Sequence, residues 1–300
     1  MNTAKQTLIT IVGPTAIGKT ALSIQIANHF NSDILSCDSR QFYKEMCVGT
    51  AVPEAHELAA ATHHFIQNRS VFDDYSVGQF EKDALQTLDA LFLKNTTQVM
   101  VGGSGLYVDA VLKGLDYFPK VAPEIRATLN LELETKGLLF LQESLKKHDP
   151  ETYKTITLDN PKRVIRALEV CIGSGKTYAS FKNKEKAPRN FTNITIGLNA
   201  DRALIYERIN QRVDLMIANG LIEEVRALYP HKHLNALQTV GYRELFAHFN
   251  GDCSLEAAIE EIKKNTRRFA KRQLTWFRRD PHTIWFDYKT DLETILKICS

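Results

Sequence analysis

Eight consecutive residues near the N-terminus have the types and spacing of a phosphate-binding loop. They read GPTAIGKT and fit the pattern G-x-x-x-x-G-K-[ST] at every fixed position. Glycines allow backbone N–H groups to surround phosphate oxygens, Lys19 adds a full positive charge, and the Thr20 hydroxyl is expected to bind Mg²⁺. The residues predicted to hold the phosphates are Gly13, Pro14, Thr15, Ala16, Ile17, Gly18, Lys19 and Thr20.

The motif by itself indicates a polyphosphate ligand without naming it. In ATPases, a strand that ends in Asp usually supplies a second contact to Mg²⁺. Here the strand-like run at 98–101 leads into glycines, and the acidic residue, Asp38, follows a different run. This departure is a reason to consider reactions other than ATP hydrolysis. A second GKT, at 175–177, has Val170 where the pattern needs glycine, and we predict a surface turn there.

The C-terminal region carries a dense basic segment although the whole chain is nearly neutral. The formal net charge is +3, yet residues 263–279 include eight Lys or Arg and no acid. Charge at this local density can bind phosphates or simply keep a helix face solvated. The aromatic residues Trp276 and Phe277 within the segment favour binding to RNA.

Short β-branched runs alternate with helical periodicity over the first hundred residues. The predicted elements are strands at 7–12, 33–37 and 98–101 and helices at 21–30 and 76–93. Such alternation predicts a parallel sheet with helices on both faces. Asp38 lies just beyond the second strand, at the rim where α/β proteins bind ligands.

The pattern becomes helical in the middle of the chain. The later predicted elements are helices at 124–148 and 159–172, a strand at 193–198, a helix at 202–229 broken near Gly220, and a helix at 255–277. We therefore expect an α/β fold with a parallel-sheet core like that of P-loop NTPases. Residues 1–114 and 191–300 would form this core, and residues 115–190 would form a helical insertion.

Length and composition are those of a globular protein that can bury a core of its own. The chain has 300 residues, of which 44% are hydrophobic and 24% charged. No apolar run approaches the roughly 20 residues that span a bilayer, and no signal peptide is recognisable. We expect a cytoplasmic protein without a membrane partner. Five cysteines without a CxxC pair predict free thiols and no zinc site.

Six segments, in order along the chain, resemble the motifs of the tRNA dimethylallyltransferases, also called tRNA isopentenylpyrophosphate transferases. The segments are GPTAIGKT at 13–20, DSRQFY at 38–43 followed by GTA at 49–51 and Pro53, GGSGLY at 102–107, NPKRVIRALE at 160–169, QTVGYRE at 238–244 and NTRRFAKRQLTWFR at 265–278. Two positions depart from the family pattern. The family commonly has Thr at the position of Ser104 and often has Asp at the position of Cys47.

The resemblance implies transfer of a dimethylallyl group from dimethylallyl diphosphate to N6 of adenosine 37, beside the anticodon of tRNA, with release of diphosphate. It implies that Asp38 is the general base, that Ser104 binds the nucleotide, that Arg243 is a further diphosphate contact, and that Mg²⁺ is the cofactor. We expect a monomer. The residues that would contact the anticodon stem-loop are Asp38, Ser39, Arg40, Gln41, Ser104, Arg126, Lys162, Arg163, Val164, Ile165 and Arg166.

Ordinary structural roles compete with several of these assignments. Asp38 has the position of a turn or helix N-cap, and Ser104 lies in a glycine-rich turn where a hydroxyl often bonds the backbone. Some of the basic residues have the pattern of solvated helix faces.

Two other classes of function fit parts of the sequence. An ATP-dependent kinase of a small metabolite would also have a P-loop, an α/β core and a helical insertion. It would consume ATP without needing RNA. A non-catalytic RNA-binding protein that uses a nucleotide as a switch would bind RNA equally well after Asp38→Ala.

Overall fold

The computed structural model describes residues 5–182 and 184–299, which form two compact units. One unit comprises the chain up to Lys113 and again from Arg189 onward. The other unit is Gly114–Pro188. The division lies close to the boundaries expected for a core with an insertion. None of the helices in the described ranges has the length and apolarity that crossing a bilayer requires.

Within the described residues, six parallel strands form one sheet in the first unit. They are β1 (Thr7–Val12), β2 (Ile34–Ser36), β3 (His63–His64), β4 (Thr97–Val101), β5 (Thr192–Asn199) and β6 (Ile284–Asp287). Their order is β3-β2-β4-β1-β5-β6, with every neighbouring pair parallel. Parallel strands end at the same edge, so the segments that follow β1, β2 and β4 meet there.

Helices connect the strands and make up the second unit. In chain order they are α1 (Lys19–Phe30), α2 (Ala55–Ala60), α3 (Val77–Phe92), α4 (Gly105–Lys113), α5 (Pro123–Lys136), α6 (Leu138–His148), α7 (Pro150–Thr155), α8 (Pro161–Ser174), α9 (Arg202–Ala218), α10 (Leu221–Leu228), α11 (Tyr242–Phe249), α12 (Leu255–Phe277) and α13 (Leu292–Cys299). The predicted α/β fold with a parallel sheet is confirmed.

Local sequence explains where several helices begin. Ser76 accepts a hydrogen bond from the backbone of Gln79, whose side chain bonds back to Ser76, so a capping box starts α3. Ser254 caps α12 by accepting from the backbone of Ala257. α12 then runs for 23 residues, the range that its periodicity predicts.

The two faces of the sheet pack against different helices. Ile9, Ile11 and Ile26 belong to one buried cluster, to which α1, α9 and α13 contribute. Leu8, Phe80 and Met100 belong to a second cluster, on the side of α3 and α4. Strand residues alternate between these clusters because successive side chains of a strand point to opposite faces. The sheet is therefore a rigid layer covered on both sides.

The backbone segments at the edge of the sheet lie very close together where β2 and β4 end. The N–H of Cys37 donates to the carbonyl of Val101 at 2.7 Å, and the N–H of Gly102 donates to the carbonyl of Ile11 at 3.1 Å. A Cβ atom on Gly102 would overlap the backbone carbonyl of Cys37. Glycine is therefore required at 102 for close approach, and this approach brings Asp38 toward the turn that contains Ser104.

Four helices, α5 to α8, build the second unit around its own small core. Leu141, Leu145, Val164 and Leu168 are fully buried in it. Asn160 caps the N-terminus of α8, because its side chain accepts from the backbone of Arg163, and Gly175 follows the last residue of the helix in a left-handed conformation. The turn predicted for the second GKT is thus confirmed, because it lies just past the end of a helix.

Some predicted elements were wrong. The single helix expected over 124–148 is divided at Gly137, whose φ of 80° ends α5 and allows α6 to start in a new direction. α7 was not predicted. Strands β3 and β6 were also missed: the first has two residues and the second is a partly exposed edge strand without an apolar alternation.

Replacing Gly102 by alanine tests the close approach at the sheet edge. We expect Gly102→Ala to lower the free energy of unfolding by about 1–3 kcal/mol, because the new methyl group meets backbone that cannot move aside easily. Urea unfolding followed by circular dichroism measures this.

Gly78→Ala is the matched control. A Cβ there lies no closer than 3.9 Å to Ser76 Oγ, in the first turn of α3, so stability should stay unchanged or rise slightly. Equal stability of both variants would contradict the requirement for glycine at 102.

Candidate active site

The phosphate-binding motif forms the connection between β1 and α1. Gly13 and Gly18 have φ values of 149° and 109°, and a Cβ on Gly13 would lie 2.7 Å from the carbonyl oxygen of Leu198. Ala16 also has a positive φ, 64°. These conformations fold the loop around the N-terminus of α1, where free N–H groups and the helix dipole favour an anion.

Lys19 is half-buried and stays close to the loop. Its Nζ donates to the carbonyl of Pro14 at 2.8 Å. Burial, together with the positive charge of Arg212, lowers the pKa of Lys19 to about 8, while the carboxylate of Asp38 acts in the opposite direction. The surroundings therefore destabilise the ammonium relative to that of a lysine in water, and a bound anion would offset this destabilisation.

Arg212 on α9 is a second cation at this site. Its Nη1 donates to Thr15 Oγ1 at 3.2 Å. Burial and the neighbouring Arg208 lower the pKa of Arg212, with Asp38 and Glu57 opposing. Two cations that destabilise each other in a partly desolvated cavity are both stabilised when a polyphosphate binds between them. Arg212 was not predicted as a site residue from the sequence, because nothing in the helical pattern around it distinguishes it from a solvated arginine.

Gln273 on α12 joins two loops of the site. Its side-chain oxygen accepts from the backbone N–H of Thr15 at 2.9 Å, and its Nε2 donates to the carbonyl of Gly103 at 3.0 Å. Gln273 is buried. It therefore fixes the distance between the phosphate loop and the turn after β4.

Asp38 follows β2 and lies at the same edge. One of its carboxylate oxygens accepts from the backbone N–H of Arg40 at 3.1 Å, so the expected turn role is present. A carboxylate has about four acceptor positions, and one short-range bond leaves capacity for a substrate proton. A turn role and a catalytic role are therefore compatible at Asp38.

The neighbours of Asp38 are held by bonds within the protein. Ser104 Oγ accepts from the backbone N–H of Ser39 at 3.0 Å and lies 3.1 Å from Ser39 Oγ. Arg40 Nη1 donates to the carbonyls of Asn235 and Ala236. Ser104 thus links the turn after β4 to the segment after β2, which is the positioning role that a turn hydroxyl can have.

Gln41 is also engaged internally. Its Nε2 donates to the carbonyls of Thr50 and Ala51 at 3.2 and 2.9 Å, and its Oε1 accepts from Ser36 Oγ at 3.3 Å. Both hydrogens of the amide are used. Its side chain therefore braces the 50–51 segment.

Two cavities meet at Asp38. The first has a volume of about 630 Å³ and is lined by the phosphate loop, including Lys19 and Thr20. The second has a volume of about 240 Å³ and is lined by Ser39, Arg40 and Ser104 together with apolar side chains of Val213, Val240 and Ile262. Thr15, Asp38, Arg212, Met216 and Phe269 line both cavities. A cavity beside the Gly13–Thr20 loop and a smaller cavity of mixed polar and apolar lining thus share one boundary.

The site has oxygen ligands of the kind that Mg²⁺ prefers. Thr20 and Asp38 both line the first cavity. Mg²⁺ commonly takes one or two protein oxygens and completes its shell with substrate phosphates and water. Across 5–182 and 184–299, no group of three or more His, Cys, Asp or Glu side chains could hold a metal by itself. The residues present therefore fit a magnesium ion bound jointly with a phosphate ligand.

Arg243 does not lie where its predicted role requires. It is exposed on α11 and lines a separate shallow pocket with Ala247 and Cys253, away from the residues that line the phosphate cavity. Its side chain points outward because Tyr242 and Glu244, on either side, are buried. Arg212, and not Arg243, therefore lines the cavity beside the Gly13–Thr20 loop.

The arginines of the second unit are organised by a buried carboxylate. Arg126 binds Glu169 through two hydrogen bonds of 3.1 and 2.7 Å, and Arg166 adds a third of 3.0 Å. Burial alone would raise the pKa of Glu169, but the two guanidinium groups outweigh it and lower the pKa. Arg126 and Arg166 are thus held in place with their charges partly neutralised.

The remaining residues predicted on α8 divide into two kinds. Lys162 and Arg163 are exposed and available to a large anionic partner. Val164 and Ile165 are buried in the core of the second unit, so their side chains cannot contact RNA, and this part of the prediction is corrected.

The basic segment on α12 is only partly free. Lys263 bonds to Asp214 and Glu260, and Lys264 bonds to Glu261. Lys271 and Arg272 are exposed on the same helix. The half of the segment nearer the C-terminus therefore carries most of the accessible positive charge. The five cysteines, all among the described residues, are free thiols, as predicted.

Comparisons with known proteins identify the family of the chain. Residues 41–280 match the family model described as IPP transferase. A tRNA dimethylallyltransferase of Flavobacterium psychrophilum is 60% identical over 297 residues, covering 97% of each chain. A tRNA dimethylallyltransferase of Christiangramia forsetii is 64% identical over 288 residues, covering 96% of this chain and 95% of the relative.

Solved structures are similar over almost the whole chain. The tRNA isopentenylpyrophosphate transferase of Bacillus halodurans has 34% identity and a TM-score of 0.72, covering 98% of this chain and 94% of its own. A eukaryotic dimethylallyltransferase described as acting on tRNA has 25% identity and a TM-score of 0.80, covering 98% of this chain and 76% of its own.

The lowered pKa of Lys19 predicts how phosphate binding depends on pH. A bound diphosphate favours the charged ammonium, so affinity is greatest below the pKa of about 8 in the empty site and falls as the pH rises above it. We expect the affinity ratio of the unmodified protein to Lys19→Met, measured with inorganic pyrophosphate by calorimetry, to fall about tenfold between pH 7 and pH 9.

Taking the ratio of the two proteins removes the titration of pyrophosphate itself. A ratio that stays constant over this range would show that the ammonium of Lys19 does not contact the anion.

The placement of the two arginines predicts opposite effects of their removal. Arg212→Ala should weaken pyrophosphate binding about 10- to 100-fold, because it removes a charge-assisted hydrogen bond in a partly desolvated cavity. Arg243→Ala should leave the affinity within twofold, because its side chain lies outside that cavity. Calorimetric titration of both variants distinguishes them, and a larger loss in Arg243→Ala would reverse the assignment.

Proposed function

The chain belongs to the IPP transferase family, and we propose that it transfers a dimethylallyl group from dimethylallyl diphosphate to N6 of adenosine 37, beside the anticodon of tRNA, releasing diphosphate. The observation that carries the proposal is the meeting of two cavities at Asp38, one lined by phosphate ligands and the other by mixed apolar and polar groups. The family match argues against the small-metabolite kinase. It argues equally against a non-catalytic RNA-binding protein.

The first cavity suits the diphosphate. Backbone N–H groups of the Gly13–Thr20 loop other than that of Thr15, which donates to Gln273, can face the leaving oxygens, together with the ammonium of Lys19 and the guanidinium of Arg212. As the bond from C1 to oxygen breaks, negative charge grows on the diphosphate, and these donors stabilise it. Mg²⁺, held by Thr20, would neutralise part of the same charge when bound.

The second cavity suits the adenine. Its walls combine Val213, Val240 and Ile262 with the hydroxyls of Ser39 and Ser104. A base reaches such a cavity only after it leaves its stack in the RNA, and apolar surfaces then replace its stacking partners. Phe269 and Met216 line the boundary that the two cavities share. Their apolar side chains suit the five-carbon dimethylallyl group, which would lie between the diphosphate and the adenine.

Asp38 takes the proton in this proposal. The lone pair of N6 is delocalised into the adenine ring, so the amine attacks C1 slowly unless its proton is removed as the new bond forms. In the proposed step the N6–C1 bond forms, the C1–O bond breaks, the bonding pair leaves with the diphosphate, and the N6 proton moves to the carboxylate of Asp38. The turn bond from Arg40 holds the carboxylate while this happens.

Exposed cations supply the remaining contacts with tRNA in this proposal. Lys162 and Arg163 on α8 and Lys271 and Arg272 on α12 present charge that is not used within the protein core. Contacts of this kind position an RNA through its phosphates and make binding depend on salt. A monomer acting in the cytoplasm stays part of the proposal.

A transfer assay tests the function directly. The purified protein is incubated with Mg²⁺, dimethylallyl diphosphate and an unmodified anticodon stem-loop that has adenosine at position 37. Mass spectrometry should find one added dimethylallyl group on that adenosine, and release of diphosphate in equal amount. An unchanged RNA mass under saturating conditions, or steady ATP consumption without RNA, would contradict the proposal.

Asp38→Asn separates chemistry from binding. The amide keeps the size and the turn bond but cannot accept the proton, so we expect single-turnover transfer to slow roughly 10²- to 10⁴-fold. The affinity for the stem-loop, measured by fluorescence anisotropy, should change less than threefold. Asp74→Asn, an exposed acid on the same unit, controls for net charge and should behave as the unmodified protein. Equal losses of rate and RNA affinity in Asp38→Asn would remove the general-base role.

A further inference from the structure

A single carboxylate, that of Glu224, accepts hydrogen bonds from four donors. Glu224 lies in the first turn of α10. Its Oε2 accepts from the backbone N–H groups of Cys47 and Val48 at 2.8 and 2.7 Å. Its Oε1 accepts from the N–H of Gly49 at 2.9 Å and from the hydroxyl of Tyr242 at 2.6 Å.

Three consecutive backbone N–H groups that point at one anion fix the path of a segment. The chain at 47–53 belongs to no helix or strand and is held locally by turn bonds such as Ala51 N–H to the carbonyl of Val48. Glu224 supplies the long-range anchor, from 175 residues further along the chain. Charge-assisted bonds to backbone are about twice as strong as neutral ones, so this anchor dominates the segment's position.

Tyr242 holds the same segment from the other side. Its ring is fully buried, and a Cβ on Gly49 would lie 2.6 Å from the ring carbon Cε2. Burial and the adjacent carboxylate of Glu224 raise the pKa of Tyr242, so its hydroxyl stays protonated and donates. Glycine at 49 is therefore what lets the loop rest on the ring while it bonds Glu224.

The anchored segment forms a wall of the active site. Val48, Thr50, Ala51 and Pro53 line the phosphate cavity, with Thr50 and Ala51 also lining the second cavity. The carbonyls of Thr50 and Ala51 receive both hydrogens of the Gln41 amide.

Gln41 connects the anchored segment to Asp38. Its backbone N–H donates to the carbonyl of Asp38 at 3.2 Å. A continuous series of hydrogen bonds therefore runs from Glu224 through the 47–51 segment and Gln41 to the proposed general base.

We propose that Glu224 is a positioning residue for the transfer reaction: it sets the 47–53 wall of the diphosphate cavity and, through Gln41, the turn that holds Asp38. The inference rests on the proposed function. Glu224 touches no substrate in this account, and Tyr242 and Gly49 complete its contact with the loop.

Four variants and one control test the proposal. Glu224→Ala removes all four acceptor bonds, Glu224→Gln replaces one oxygen by a donor, and Tyr242→Phe removes one donor. Gly49→Ala leaves Glu224 intact but pushes the loop off the Tyr242 ring. Glu223→Gln, an exposed acid next to it in the same turn, is the matched control.

The readouts separate positioning from general stability. The pyrophosphate Kd and the KM for dimethylallyl diphosphate should rise about tenfold or more in Glu224→Ala and Gly49→Ala, and about two- to fivefold in Glu224→Gln and Tyr242→Phe. The kcat should fall in the same order, while stem-loop affinity stays within twofold. Glu223→Gln should match the unmodified protein.

Each other outcome overturns the inference. If the variants lower Tm but the folded fraction keeps the unmodified pyrophosphate Kd and kcat, Glu224 is merely structural. If Glu224→Gln and Gly49→Ala both fold and bind pyrophosphate normally, the anchor does not control the cavity. Failure of the unmodified protein to transfer the group is a different result, seen before any variant is compared, and removes the proposed function and this inference together.

Discussion

The parallel pairing of β1, β2 and β4 is the interaction on which the rest of the structure depends. Because parallel strands end at one edge, three separate connections, after Val12, Ser36 and Val101, are placed side by side. The pairing even continues past the strands, through the bonds from Cys37 to Val101 and from Gly102 to Ile11. A rigid sheet covered on both faces thus sets the relative positions of a phosphate loop, a carboxylate and a hydroxyl that are far apart in sequence.

Much of the polar chemistry at this edge holds the site together before any substrate binds. Gln273 ties Thr15 to Gly103, Ser104 ties one loop to Ser39, and Gln41 ties another to Thr50 and Ala51. Groups that are fixed by such bonds need little reorganisation when charge develops in the transition state. This preorganisation is the main source of electrostatic stabilisation in catalysis. A residue in a recognisable motif can therefore act by holding its neighbour as well as by touching a ligand.

Several features that are encoded by neighbouring residues were predicted correctly from the sequence. The limits of β1 and α12, the phosphate motif and the turn at Gly175 follow from periodicity, capping and glycine conformations that neighbouring residues determine. Arg212 and Glu224 could not be found in the same way, because helical periodicity identifies a buried face without naming its partner. The outward position of Arg243 could not be predicted for the same reason: its motif is recognisable, but only packing reveals that Tyr242 and Glu244 take the inward positions.

The long helix α12 affects how the first unit unfolds locally. Ala258 and Ile262 pack in one hydrophobic cluster, Ala270 in a second and Phe277 in a third, and Gln273 between them bonds the phosphate loop. One helix of 23 residues, about 35 Å long, thus contributes side chains to the three buried clusters found among the described residues of that unit. Because α12 joins the three clusters, we expect the loss of its packing to loosen all of them together, with correlated hydrogen exchange of their amides.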